Sequence, residues 1–478
     1  MRQFWIHAAC AALASAPAIA ADMPFKAKAP PLAAPYNWTG FYVGANVGYS
    51  VGRDPSAFAS AFFGGAESFS LQPAGAIGGG QIGYNWQTGR WVLGIEADIQ
   101  ASGQKDSACV TRCLVGSIGA TIDQEMPWFG TVRGRIGWAE GAALFYLTGG
   151  LAYGRVNTTI NFFDPPSPND LRAFSATKTG WTLGGGIEAA IAGPWTAKVE
   201  YLYVDLGSVS GAFNFLNLAF LPHTFTSGVH DHIFRAGINY RFGQPAMAAA
   251  VAPMGAPLHN WSGVYAGVNL GYGVARDPTT FVAAGFQPQS ESFKLDPAGV
   301  LGGAQVGLNW QSAHLVLGLE TDIQASAQKS SPNCMLICFP VPPTPVALQM
   351  EQKLSWFGTL RGRLGWAEGP ILFYATGGLA YGRVTTRDLY QNGGLIGTNL
   401  AQSLELSSTK TGWTVGGGIE GVLAGNWSAK VEYLYLDLGS QTITFPIDFG
   451  LGFTNVNTIE TKFRDHVVRA GLNYRFGP

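Results

Sequence analysis

The sequence predicts an all-β fold, a transmembrane antiparallel up-and-down β-barrel built as two tandem eight-stranded barrels. Three observations lead there. Charged residues make up 12% of the chain against 47% hydrophobic ones, about half the roughly 25% charge of an ordinary soluble domain. Beyond residue 20 no apolar run approaches the roughly 18 to 20 residues that a spanning helix needs. Finally, 65 glycines and 13% aromatics accompany segments whose apolar residues fall at every second position, the pattern of a barrel wall facing lipid. A formal net charge of −1 leaves no basic footprint for nucleic acid.

The chain begins with the features of an export signal at residues 1–20. Arg2 supplies the positive start, Phe4 to Leu13 a short apolar stretch, and Ala18-Ile19-Ala20 a cleavage site before Ala21-Asp22. Cys10 is lost with this segment. It does not read as a lipidation site, because His7 stands where an aliphatic residue is expected. Residues 21–36 are rich in Pro and Ala.

The rest of the chain is one unit written twice, over 37–243 and 260–478, with an Ala/Pro-rich linker at 244–259. Asn37-Trp38-Thr39-Gly40 returns as Asn260-Trp261-Ser262-Gly263. Trp128 to Trp138 returns as Trp356 to Trp366, and Lys198 to Tyr203 returns unchanged as Lys430 to Tyr435. Matched segments keep their lengths while insertions fall between them, as expected of rigid elements joined by tolerant loops.

In the first copy, eight segments have strand character, near 40–51, 74–87, 90–103, 126–139, 142–156, 177–191, 195–207 and 229–242. Tight turns at Gln87-Thr88-Gly89, Ala139-Glu140-Gly141 and Ala192-Gly193-Pro194 alternate with long polar or irregular loops near 52–73, 104–125, 157–176 and 208–228. Short periplasmic turns alternating with long external loops are characteristic of outer-membrane barrels. The first strand therefore rises from the periplasm and the eighth returns to it.

Period-2 patterning separates the faces. Val132, Gly134, Ile136 and Trp138 oppose Thr131, Arg133, Arg135 and Gly137, while Leu93, Ile95, Ala97 and Ile99 oppose Gly94, Glu96, Asp98 and Gln100. An Arg or Lys facing lipid at the midplane costs about 2–4 kcal/mol, so the charged faces point inward. Trp128, Trp138, Tyr201, Tyr203, Tyr240 and Phe242 lie toward strand ends, where an aromatic girdle meets the headgroups.

The inward charges of the first copy are Glu96, Asp98, Glu188 and Glu200 against Arg133, Arg135, Lys198, Arg235 and Arg241. The second copy has Glu320, Asp322, Glu420 and Glu432 against Arg361, Arg363, Lys430, Arg469 and Arg475. At about eight strands the interior is only wide enough for side chains to fill. These residues are expected to form a structural ion-pair network across each lumen.

Four cysteines remain after export, Cys109 and Cys113 in one copy and Cys334 and Cys338 in the other. In an exported chain each C-x-x-x-C pair reads first as a local disulfide. A metal site is the alternative, but no His lies near either pair. No cofactor is called for. Asp231-His232 and Asp465-His466 are the matched acid–His pairs, and alternation turns His232 outward at the rim, toward lipid. The Gly-rich run at 78–83 has no helix behind it to hold a phosphate. No catalytic constellation emerges, and no enzyme is expected.

Four segments together, NWTGFYVGANVGY (37–49), GWTLGGGIE (180–188), KVEYLYVDLG (198–207) and the closing NYRFG (239–243 and 473–477), resemble the small outer-membrane β-barrel family of alphaproteobacteria, the porin-family or surface-antigen type. The resemblance covers nearly the whole mature chain, twice. It implies an outer-membrane location, contact with outer-membrane lipid, assembly by the barrel-insertion machinery, and a role in envelope integrity and surface contact with ligands or cell wall. Some relatives are linked to haem binding or pore formation.

Two architectures fit. Each copy closes on itself, or all sixteen strands close into one wide barrel with an aqueous channel. The complete strand set in each copy, the long linker and the mutually compensating charges favour two barrels. The matching functions are a structural, surface-interacting envelope protein, or a general diffusion porin for small hydrophilic solutes, with ligand capture by the external loops as a third.

Overall fold

The computed structural model describes residues 36–60, 65–110, 119–163, 169–214, 222–243, 259–284, 289–330, 333–336, 346–393, 399–448 and 454–476. The export signal, most of the Pro/Ala-rich segment and linker residues 244–258 lie outside these.

The first copy runs through β1 (Gly40–Gly52), β2 (Asp54–Ser60), β3 (Gly65–Leu71), β4 (Ala74–Thr88), β5 (Trp91–Val110), β6 (Gly119–Glu140), β7 (Ala143–Phe163), β8 (Asp170–Ala192), β9 (Trp195–Phe213) and β10 (His223–Arg241). The second runs through β11 (Gly263–Ala275), β12 (Asp277–Ala284), β13 (Gln289–Leu295), β14 (Ala298–Ser312), β15 (Leu315–Lys329), β16 (Asn333–Leu336), β17 (Val346–Glu368), β18 (Ile371–Gly393), β19 (Asn399–Ala424), β20 (Trp427–Asp448) and β21 (Thr454–Phe476).

Each copy closes on itself. The first ring is β1-β4-β5-β6-β7-β8-β9-β10, shut by antiparallel pairing of β1 with β10 from Tyr42↔Arg241 to Gly52↔Asp231. The second is β11-β14-β15-β17-β18-β19-β20-β21, shut by β11 with β21 from Val264↔Phe476 to Ala275↔Asp465. Backbone groups in hydrocarbon have no water to pair with, so a ring without an edge is the stable form. Two eight-stranded barrels, and not one of sixteen strands, are the result.

The wall faces follow the sequence alternation. Val47, Leu147, Leu151 and Leu183 point outward and are exposed, whereas Arg133, Lys198 and Arg235 are buried inside. Trp138 meets Trp91 edge-on at 5.1 Å, and Trp195 meets Tyr240 at 5.2 Å, both at the end with the tight turns. Trp38 caps the same end from inside, fully buried, with its backbone N–H donating to Gln87 Oε1 at 2.6 Å and its indole N–H to the Gly141 carbonyl at 3.3 Å. Trp261 does the same in the second copy.

The external segments depart from expectation. Most of residues 52–73, 104–125, 157–176 and 208–228 is strand and not irregular loop, because β5 to β10 run on past the girdle and β2 and β3 add a hairpin to β10. The extension has its own interior. Phe58, Val110, Ile122, Phe129, Ile160, Phe162, Val209 and Phe225 form one apolar cluster with Leu202 and Val204 below it. The second copy has a smaller cluster around Phe357, Leu434, Leu436 and Phe463.

The rings also touch each other. Phe234 packs on Tyr433 at 5.2 Å, His232 stacks on Tyr272 at 5.1 Å, and Tyr49 stacks on His466 at 5.7 Å. Lower down, Ala143, Ile187 and Ala189 pack on Ile371 and Ile419. His232 does turn outward, but it meets the second barrel in place of lipid and is 5% exposed.

The turn at Gly89, where φ is 62°, is taken in the second copy by Ala313 at φ 52°. A Cβ in the left-handed region costs roughly 1–2 kcal/mol, part of which glycine's greater unfolded-state freedom offsets. Ala313→Gly is therefore expected to stabilise the second barrel by about 1 kcal/mol and Gly89→Ala to destabilise the first comparably. The urea midpoints of the refolded variants would read both.

Candidate functional site

The inward-facing charges meet in the lower half of each lumen. Arg133 on β6 is the hub of the first. It bonds Glu96 and reaches Asp98 Oδ2 at 3.1 Å and Glu200 Oε1 at 3.0 Å. Arg235 on β10 joins Asp98 at 3.0 Å and donates its Nε to Glu200 at 2.7 Å. Lys198 on β9 holds both oxygens of Glu96, at 2.8 and 2.9 Å. Arg135 binds Glu188 at 3.0 Å and lies over the ring of Tyr42 at 4.7 Å. These strands are neighbours or face each other across the lumen, so inward residues from β5, β6, β8, β9 and β10 converge.

Neutral groups complete the network. The Tyr42 hydroxyl donates to Glu96 at 2.8 Å, Tyr146 to Glu200 at 3.0 Å, Thr131 to Asp98 at 2.7 Å and Asn239 to Glu188 at 2.9 Å. Alternation already puts Thr131 and Asn239 on the inward faces; Tyr42 and Tyr146 are additions, although Tyr42 shares the alternation of β1 with Asn46 and could have been placed inside by it. The second lumen repeats the arrangement. Arg361 binds Glu320, Asp322 at 3.0 Å and Glu432 at 2.9 Å, Arg469 binds Asp322 at 2.8 Å, Lys430 binds Glu320 at 2.8 Å, and Arg363 binds Glu420.

Arg241 and Arg475 stand apart from these clusters. Arg241 donates to the carbonyls of Asn37 at 2.8 Å and Thr39 at 3.3 Å and covers the Trp38 ring at 5.2 Å. Arg475 bonds the Asn260 carbonyl at 2.5 Å and covers Trp261 at 5.6 Å. Both sit on the last inward position before the periplasmic end, where the entering chain offers carbonyls. The networks around the hub thus contain four acids and four bases in the first copy, and the expected excess of base is spent at the barrel floor.

Above the ion pairs sits a second polar layer. Asp231 accepts from Ser50 at 3.1 Å and from Gln104, and Asp54 accepts from Gln124 at 2.9 Å and the His230 backbone N–H at 2.8 Å. Asp231 and His232 are therefore no acid–base dyad. Successive residues of a strand point to opposite faces, and His232 bonds Tyr201 at 2.9 Å on the outside. The Gly-rich run lies within β4, where a Cβ on Gly79 would stand 2.0 Å from the Ile99 carbonyl, so close strand approach accounts for that glycine. Cys109 is disulfide-bonded. Cys113, Cys338 and the Cys334 side chain lie outside the described residues. Among the described residues no three His, Cys, Asp or Glu are grouped to hold a metal.

A ring of eight strands closed around compensated charges, with an apolar band outside, has the form of an outer-membrane barrel. The outer membrane protein beta-barrel domain matches twice, over residues 6–242 and 245–476. The chain belongs to this family. It is 37% identical over 259 residues to the 31 kDa outer-membrane immunogenic protein of Brucella melitensis, which takes 51% of this chain and 99% of that protein. It is 28% identical over 261 residues to the 25 kDa outer-membrane immunogenic protein of Brucella abortus, covering 55% and 96%. To the 22 kDa outer membrane protein of Rhizobium leguminosarum bv. viciae it is 29% identical over 206 residues, covering 43% and 79%. Each relative corresponds in length to about one copy, and this member of the barrel family resides in the cell outer membrane.

Removing one partner of a buried ion pair leaves an uncompensated charge and typically costs roughly 3–5 kcal/mol. Arg133→Met is expected to lower the urea stability of the first barrel by about that much, and Arg361→Met that of the second. Removing both partners in Lys198→Met with Glu96→Gln is expected to cost less than the sum of the single changes, which a double-mutant cycle would measure.

Proposed function

We propose that the chain is a non-conducting structural protein of the outer membrane that meets its surroundings through the extended external ends of two filled barrels. The observation that carries this reading is the filling of both interiors in series. Directly above the Arg133 hub of the first copy, Leu202, Val204, Phe129 and Ile233 are buried beside the hydrogen-bonded side chains of Ser50, Gln104 and Asp231. Their counterparts Leu434, Leu436, Phe357 and Val467 occupy the second. A hydrated solute finds no width there, since the path is filled by packed side chains and by charges that already satisfy each other.

The outside supports the same reading. Strands of 19 to 23 residues, such as β6 and β8 to β10, exceed the roughly 9 to 11 residues needed to cross a bilayer. The surplus stands in the external medium as a stiff surface for ligands or other cells. Below it the apolar band contacts outer-membrane lipid, and assembly runs through the barrel-insertion machinery that serves this family. The two Brucella relatives are named as immunogenic, which suits a surface of this kind.

Planar-bilayer recording of the refolded full-length chain tests the proposal. Silence from protein that shows heat-modifiable, folded migration is the expected result. Large, steady conductance steps would replace this reading with a diffusion porin.

A further inference from the structure

Beyond the filled lumens, the seam between the barrels forms a half-open cavity of about 580 Å³ at its external end, within the roughly 300–1,000 Å³ typical of small-ligand sites. Both copies build it. Arg53, Tyr203 and His230 come from the first, and Tyr272 and Asp296 from the second. Neither barrel alone has the site.

The duplication provides its own comparison. Contacts across the seam are reciprocal, as the pairs His232–Tyr272 and His466–Tyr49 show, so the place equivalent to the cavity lies on the opposite side of the same seam. That place is crossed by longer, charged side chains. Lys294 stands where the first copy has Ser70, and both Lys294 and Arg276 pair with Asp106, the latter at 3.2 Å. Asp106 corresponds to Ser330, and Glu460 and Arg464 correspond to Thr226 and His230. Divergence toward small residues thus accompanies the space on one side only.

The polar groups left over in the cavity identify what it takes. Asp296 is 2% exposed, its Oδ2 accepts from Arg53 Nε at 3.1 Å, and its Oδ1 has no hydrogen-bond partner among the described residues. The Ser70 hydroxyl is likewise buried without one. Arg53 spends only its Nε on Asp296, leaving terminal N–H groups to donate. An anion would meet the Asp296 carboxylate. An apolar ligand would leave the unpartnered Asp296 oxygen without a hydrogen bond. A neutral polyol satisfies both sides, with hydroxyls donating to Asp296 and accepting from Arg53, and with a C–H face against the Tyr203 and Tyr272 rings. We infer that this inter-barrel cavity binds a neutral saccharide. The sugar is supplied either by a glycolipid of the external leaflet or by a free oligosaccharide.

The test uses the full-length chain refolded in a detergent without sugar, such as LDAO. Diacetylchitobiose is the soluble probe, read by saturation-transfer NMR. The membrane probe is the chain reconstituted in phosphatidylcholine vesicles with monoglucosyl diacylglycerol, with mass spectrometry of the glycolipid retained after extraction. Binding of the disaccharide identifies a soluble source, and retention of the glycolipid alone identifies the leaflet. In either case Ser70→Lys, which installs the residue tolerated at position 294, and Asp296→Asn are each expected to weaken binding by about tenfold or more. Folded wild-type chain that holds neither probe would overturn the inference, as would binding unchanged in both variants. Saccharide capture extends the surface-contact reading, and its failure would leave the conductance result as it stands.

Discussion

A ring of eight strands has an interior too narrow for bulk water and too dry for an unpaired charge. Much of this structure answers that constraint. Once Arg133 points inward it needs acids from β5 and β9, so Glu96, Asp98 and Glu200 arrive on those strands at the matching height. Their remaining lone pairs then call for Tyr42, Thr131 and Tyr146. Such a network is weak evidence for stability in itself, because desolvation consumes much of the Coulomb gain. Its effect is specificity. A one-residue slip of any of these strands would turn its own inward charges to lipid, which penalises the wrong register.

How much of this was legible depended on where a residue sat. Inside the hydrocarbon the alternation is stark, because outward residues are apolar and inward ones are charged, and Glu96, Arg133 and Arg235 could be placed by parity alone. Past the girdle both faces change character. In β6, Ala120, Ile122, Gln124 and Met126 point in while Thr121, Asp123 and Glu125 point out. The period is still two, but the outside has become polar because it faces water, and the segment reads as a loop when judged by composition. The same shift concealed the extended ends of β7 to β10.

Other differences were not local at all. Arg241 shares the parity of Arg235, yet it lies beside the entering chain and serves carbonyls at Asn37 and Thr39. Only the register of β1 against β10 reveals that. His232 was correctly turned outward, but what it faces is Tyr272 of the other copy. No property of one repeat could announce its neighbour, and the seam arises from the pairing of two units whose separate patterns are each complete. Duplication therefore did more than double a barrel. It created a boundary whose two sides were free to diverge, as Ser70 and Lys294 have done.

Filled lumens, girdle and seam all require that each copy close upon itself, and disulfide trapping tests that closure most directly. Val43 and Tyr240 are register partners across the closing seam of the first ring, close enough for a disulfide between antiparallel neighbours. In folded chain carrying Val43→Cys and Tyr240→Cys, oxidation followed by peptide mass spectrometry should recover a 43–240 crosslink in high yield. If those two positions stay reduced while the protein remains folded, β1 and β10 are not neighbours, and the closed eight-stranded ring is wrong.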